Sequence, residues 1–87
     1  MPAIAHKGDP ISHIGYVIGG STNVYAQGRQ VARVGDLVAC LEHGTNRIIS
    51  GATTVYANGL LVAVNGSQCE CGAVVIASGN VFVEEGT

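Results

Sequence analysis

A short apolar run, a Gly-Asp or Gly-Ser turn, and a potential metal ligand five residues after the glycine occur in that order three times in this chain. The turns are Gly8-Asp9, Gly35-Asp36 and Gly66-Ser67, and the ligands are His13, Cys40 and Cys71. No other feature limits the fold as much. It demands a repeat, and repeats of this length must be recognised before single elements are assigned. The spacing is 27 residues from Asp9 to Asp36 and 31 from Asp36 to Ser67. The likeness runs beyond the turns. Gly20-Ser21-Thr22-Asn23-Val24-Tyr25-Ala26-Gln27-Gly28 matches Gly51-Ala52-Thr53-Thr54-Val55-Tyr56-Ala57-Asn58-Gly59, and Ser78-Gly79-Asn80-Val81-Phe82-Val83 begins the same unit again.

Each unit reads as short strands. Val24-Tyr25-Ala26 and Val55-Tyr56-Ala57 lead into Gln27-Gly28 and Asn58-Gly59. The strands Gln30–Val34 and Leu60–Val64 follow. Asn-Gly between β-prone runs is a strong hairpin signal. Tyr16-Val17-Ile18, Arg47-Ile48-Ile49 and Ala73–Ile76 add one more strand per unit. No stretch of ten or more residues keeps a clean 3.6 period, so little or no helix is expected. Single hairpins are marginal in water. The expected fold is therefore all-β, short hairpins wrapped so that three units share a pseudo-threefold axis. The three turns would meet at one end, and strand edges would face the other.

An 87-residue chain makes one domain, expected to span 1–87. With 47% hydrophobic and 11% charged residues it is no disordered segment. So much apolar content also suggests a surface that meets another protein. A net charge of −2 with four basic residues argues against nucleic acid or an anionic membrane as partner. No run approaches the roughly 20 apolar residues of a spanning helix. The N-terminal Met-Pro-Ala-Ile-Ala-His-Lys lacks an apolar signal region, so no signal peptide is expected. Three cysteines without a signal peptide read as metal ligands or free thiols rather than a disulfide framework. A Cys69–Cys71 bond remains open in principle.

Structural zinc takes four Cys or His ligands in a tetrahedron. His13, Cys40 and Cys71 at one repeat position would supply three, and His43, three residues after Cys40, the fourth. Thiolate and imidazole favour zinc over magnesium or calcium. Cys69 is the rival to Cys71, because residues i and i+2 of an extended segment share a face. His6 aligns with Arg33 and Val64 in the strand before the turn and is read as exposed rather than ligating. Asp9 and Asp36 read as turn formers. Tyr25, Tyr56 and Phe82 occupy equivalent positions and are expected to pack in a core or an interface. Glu84-Glu85 reads as a solvated pair. Neither phosphate-loop pattern is present, and no catalytic triad or carboxylate pair can be assembled. A zinc enzyme would keep one position open for water, so four ligands weigh against catalysis. A small zinc-binding enzyme or regulatory protein is the alternative, and a metal-free β-repeat adhesin fragment a further one.

Gly-Asp-Pro-Ile-Ser-His, Val-Ala-Arg-Val-Gly-Asp-Leu-Val-Ala-Cys-Leu-Glu-His-Gly and Cys-Gly-Ala, in that order, resemble the PAAR-repeat family over about Ala3 to Val83. Gln30-Val31-Ala32-Arg33 stands where the family has Pro-Ala-Ala-Arg, and Ser67 replaces the third Asp. The resemblance implies the sharp tip of a type VI secretion spike or related phage tail, a cone with zinc near its apex. Carried onto this chain, the ligands fall on His13, Cys40, His43 and Cys71. It further implies that the base sits on a trimeric valine-glycine-repeat (VgrG-like) spike protein, one chain per trimer. The target membrane would be met only mechanically, with no enzymatic turnover and no small-molecule substrate. Assembly would take place in the cytoplasm, followed by injection through a contractile apparatus. By this resemblance the minimal form without a fused effector is expected. Gln27-Gly28-Arg29 and Asn58-Gly59-Leu60 are the expected base contacts.

Overall fold

The computed structural model describes residues 2–52, 55–77, 79 and 81–83. Among these residues the secondary structure is entirely β, as expected. The strands are β1 (Gly15–Val17), β2 (Tyr25–Ala26), β3 (Arg29–Gln30), β4 (Leu37–Cys40), β5 (Gly44–Arg47), β6 (Tyr56–Ala57) and β7 (Leu60–Leu61). They form an antiparallel sheet of order β1-β4-β5 and two hairpins, β2-β3 and β6-β7. Gln27 and Asn58 have φ of 54° and 56°, and the glycines after them 77° and 80°. Two successive positive φ values define the hairpin turn that Asn-Gly signalled, and Gln-Gly makes the same turn.

The three units are equivalent at the level of single hydrogen bonds. In each Gly turn the fourth residue's N–H donates back to the first: Asp9 to His6 O (3.1 Å), Asp36 to Arg33 O (3.0 Å), Ser67 to Val64 O (2.9 Å). Their side-chain oxygens accept in return from His6 N (2.7 Å), Arg33 N (2.8 Å) and Val64 N (2.9 Å). Ser67 thus caps its turn as the two aspartates cap theirs. Gly8, Gly35 and Gly66 all sit near φ 92–95°, a conformation that a Cβ would disfavour.

The units close on one another through alanine. Ala5 N donates to Ala63 O (2.9 Å), Ala63 N to Ala32 O (2.8 Å) and Ala32 N to Ala5 O (3.0 Å). This triangle of backbone bonds is fully buried and marks the pseudo-threefold axis. A larger side chain would hold the backbones apart. Two further layers repeat around it. Val17, Ile48 and Val75 form one; their carbonyls accept from Gly8, Gly35 and Gly66. Ile11, Val38 and Cys69 form the other, each three residues past its turn glycine and buried.

The expected strands Gln30–Val34 and Leu60–Val64 are broken up. Val31 bridges His6 while Arg33 bridges Val62, and Val64 bridges Ile4. Near the axis each segment passes from one neighbour to the next, so no ladder extends beyond one pair. The third hairpin is made by the two ends of the chain. Phe82 pairs with Ala3 as Tyr25 pairs with Gln30 and Tyr56 with Leu61. Ile4 N donates to Val81 O (2.8 Å) and Val83 N to Pro2 O (2.9 Å).

One expectation is narrowed and one needs correction. Tyr25, Tyr56 and Phe82, expected in a core or an interface, are 57%, 61% and 54% exposed and so lie outside the core. His6 is not exposed but completely buried. Its Nδ1 lies 3.2 Å from Asp9 Oδ2, and an Arg29 guanidinium nitrogen lies 3.0 Å from Asp9 Oδ1. This ion pair covers the imidazole, whose Nε2 has no partner among the described residues. Glu84-Glu85 lies outside the described residues.

Candidate metal centre

The chain reaches the same end of the molecule three times, at His13, Cys40 and Cys71. Antiparallel pairing then carries it away: Gly15 opposite Cys40, Val17 opposite Val38, Ser21 N to Val31 O, and at last Tyr25 opposite Gln30. In unit one, His13 and the exposed Tyr25 therefore lie at opposite ends of this run of pairs. Gly15 permits the close approach of β1 to β4, since a Cβ there would collide with the Ala39 carbonyl. That contact brings His13 beside Cys40.

Three equivalent positions cannot complete a tetrahedron. The middle unit breaks the symmetry to do so. From ligand to the buried layer the chain takes four residues in units one and three, His13 to Val17 and Cys71 to Val75, but eight in unit two, Cys40 to Ile48. The added length makes the β4-β5 hairpin, whose connection is Leu41-Glu42-His43. Gly44 at φ 77° allows the tight closure. His43 turns back from this tip over Cys40.

His13, Cys40, His43 and Cys71 bring one ligand atom each to within 4.8 Å of all the others. Cys40 Sγ is 3.5 Å from His13 Nδ1 and 3.5 Å from His43 Nδ1, and Cys71 Sγ is 3.8 Å from His13 Nδ1. A tetrahedral zinc with Zn–S of about 2.3 Å and Zn–N of about 2.0–2.1 Å has S···N edges of about 3.5–3.6 Å. The three sulfur–nitrogen contacts approach those edges, and the donor set of two thiols and two imidazoles suits a borderline-soft cation. The residues present fit such an ion, held through the Nδ1 atom of both histidines. The rings of His13 and His43 face each other at 5.1 Å. Cys40 is buried, His13 and Cys71 partly so, and His43 is exposed on its outer side. The Glu42 carboxylate stands 3.9 Å and 4.0 Å from the two Nδ1 atoms.

Neighbouring units hold the ligand loops in place. Leu41 N donates to Ile14 O (2.9 Å), joining units one and two. Asn46 Oδ1 accepts from Cys71 N (3.3 Å), and Glu70 exchanges bonds with the Arg47 backbone (both 2.9 Å), joining two and three. Ser12 exchanges bonds with the Val74 backbone (2.8 and 3.0 Å), joining three and one. These bonds tie the three loops into a ring.

Cys69 is not part of the cluster. It fills the layer with Ile11 and Val38, bridges Ile48, and is buried. Burial pushes its thiol up to about 11, with Cys71 and Cys40 adding to the effect. All three cysteines are free thiols, and no Cys69–Cys71 bond is formed. Sequence reasoning missed Glu42, Ser12 and Asn46 around the ligands. No local pattern marks them, because each acts across a unit boundary. The core role of Cys69 was available from its offset to Gly66, which equals that of Ile11 to Gly8 and Val38 to Gly35.

A sequence model of the PAAR motif family matches residues 7–77. The match takes in all three turns and all four clustered side chains. A comparison with curated proteins finds no match.

Proposed function

The chain belongs to the PAAR-motif family of spike-tip proteins, and on that premise we propose that it is a zinc-pinned tip that caps the trimeric VgrG-like spike of a contractile injection apparatus. The observation that carries the reading is polarity along a pseudo-threefold axis. One end gathers His13, Cys40, His43 and Cys71; the other exposes Tyr25, Tyr56 and Phe82 at equivalent positions.

At the ligand end, zinc would replace a large core as the device that holds a small tip rigid. A chain of this size buries a modest fraction of its surface, and structural zinc contributes folding free energy outright. With all four tetrahedral positions supplied by the chain, no position remains for a reactive water. The role is therefore mechanical, with no enzymatic turnover and no small-molecule substrate.

At the other end, three rings of similar shape suit a partner with a true threefold axis. Each would meet one subunit, so a single chain covers one trimer. Exposed aromatic clusters mark interaction sites, and buried aromatics are frequent interface anchors. Leu60, 42% exposed on the second hairpin, borders this surface, and Leu60→Asp should weaken docking and leave metal content unchanged. Assembly on the spike in the cytoplasm and ejection through the apparatus belong to the same proposal.

Light scattering on the chain mixed with a trimeric spike protein tests it. The expected complex holds one chain per trimer. A ratio of three chains per trimer, or no association with a spike trimer, would end the tip reading.

A further inference from the structure

Two of the four clustered side chains are cysteines, and they come from different units. Cys40 ends β4, and Cys71 lies in the turn after Cys69; their sulfurs are within 4.8 Å of each other. A disulfide needs a sulfur separation of about 2.05 Å, and the two thiols are neighbours within one cluster. The two thiols differ in access. Cys40 is 3% exposed, whereas Cys71 is partly exposed on the rim. Cys69 is turned into the core layer with Ile11 and Val38.

We propose that Cys40 and Cys71 form an oxidation site at which a hydroperoxide makes an intramolecular disulfide and so unmakes the metal centre. The more accessible Cys71 sulfur attacks a peroxide oxygen. An S–O bond forms, the O–O bond breaks, and the leaving alkoxide or hydroxide takes a proton to become alcohol or water. The Cys40 sulfur then attacks the Cys71 sulfenic acid. The S–S bond forms, the S–O bond breaks, and hydroxide leaves as water with a second proton. The two sulfurs together lose two electrons, and the peroxide gains them. A divalent ion departs with its oxidation state unchanged, because His13 and His43 alone remain. The metal-release half of this proposal rests on the zinc reading above; the disulfide half does not. An all-histidine site of the same shape would have no such chemistry.

The full chain, purified with its metal, is treated with hydrogen peroxide and followed by three readouts. The expected result is loss of two of the three thiols, release of one equivalent of metal to a colorimetric chelator, and a mass lower by two hydrogens. Tryptic mapping should join the peptide ending at Arg47 to the one that follows it. Cys69→Ala should leave release and crosslinking unchanged, and mapping the wild-type link to Cys71 serves the same purpose should that variant fold poorly. Dithiothreitol should restore thiols and metal binding. A Cys69–Cys71 link, sulfinic or sulfonic acid without a link, or thiols that survive excess peroxide would each overturn the proposal. A chain that carries no metal yet forms the Cys40–Cys71 link would support the oxidation site and overturn the zinc reading.

Discussion

Replacing Cys71 and Cys69 by alanine in turn separates a proposed ligand from a core residue two positions away. Cys71 Sγ lies 3.8 Å from His13 Nδ1 within the four-atom cluster, and Cys71→Ala takes away one of the four proposed ligands. If the wild-type chain is melted with zinc about a thousandfold above its dissociation constant, binding adds about 4 kcal/mol to its stability. For a domain of this size each kcal/mol moves the midpoint by about 4–8 °C. Loss of tight binding should therefore lower the melting temperature by about 15–30 °C. Cys69→Ala removes one buried sulfur from the Ile11/Val38 layer and leaves the cluster whole. A small cavity of that kind costs on the order of 1 kcal/mol, or less than about 8 °C, with metal content unchanged. Thermal melts with and without chelator, paired with elemental analysis of both variants, make the comparison. Retention of zinc by Cys71→Ala and its loss from Cys69→Ala would refute the register on which the site is built.

Other perturbations follow from the same geometry. Ser67→Ala removes the oxygen that accepts from Val64 N and should cost about 1 kcal/mol by chemical denaturation. Asp36→Ser should keep its turn capped, as Ser67 does, but lose the two-point contact with Arg33 at 2.9 and 3.0 Å; the expected loss is about 1–3 kcal/mol, and Asp36→Ala should cost more than Asp36→Ser. Gly15→Ala should separate β1 from β4, since its Cβ would meet the Ala39 carbonyl, and metal affinity should fall with stability; an unchanged affinity would show that His13 is positioned by other means. Tyr56→Ala should weaken association with a spike trimer by about 2 kcal/mol or more, measured by titration calorimetry, and leave the melting temperature within a few degrees.

The repeat made much of this architecture readable. Aligning the chain on Gly8, Gly35 and Gly66 places His13, Cys40 and Cys71 at one level, and the structure brings them together with His43. The hairpin turns were readable because Asn58-Gly59 and Gln27-Gly28 carry their conformational requirement locally. What escaped was set by contacts distant in sequence. His6 looked exposed because nothing nearby announces that Arg29, 23 residues on, reaches back to Asp9 beside it. The pairing of Phe82 with Ala3 could not be read from either end alone. The aromatics were assigned to core or interface on residue type, and the backbone decides against the core by turning them outward. Strand lengths were overestimated because residues near a threefold axis change partners every second position.

The most direct test of the central claim is elemental analysis of the purified full-length chain, followed by a thermal melt in a strong chelator. The account predicts one equivalent of zinc per chain and a melting temperature that falls when the zinc is stripped and recovers when it is returned. A chain that contains no zinc, binds none when it is supplied, and melts at the same temperature with and without chelator would contradict it.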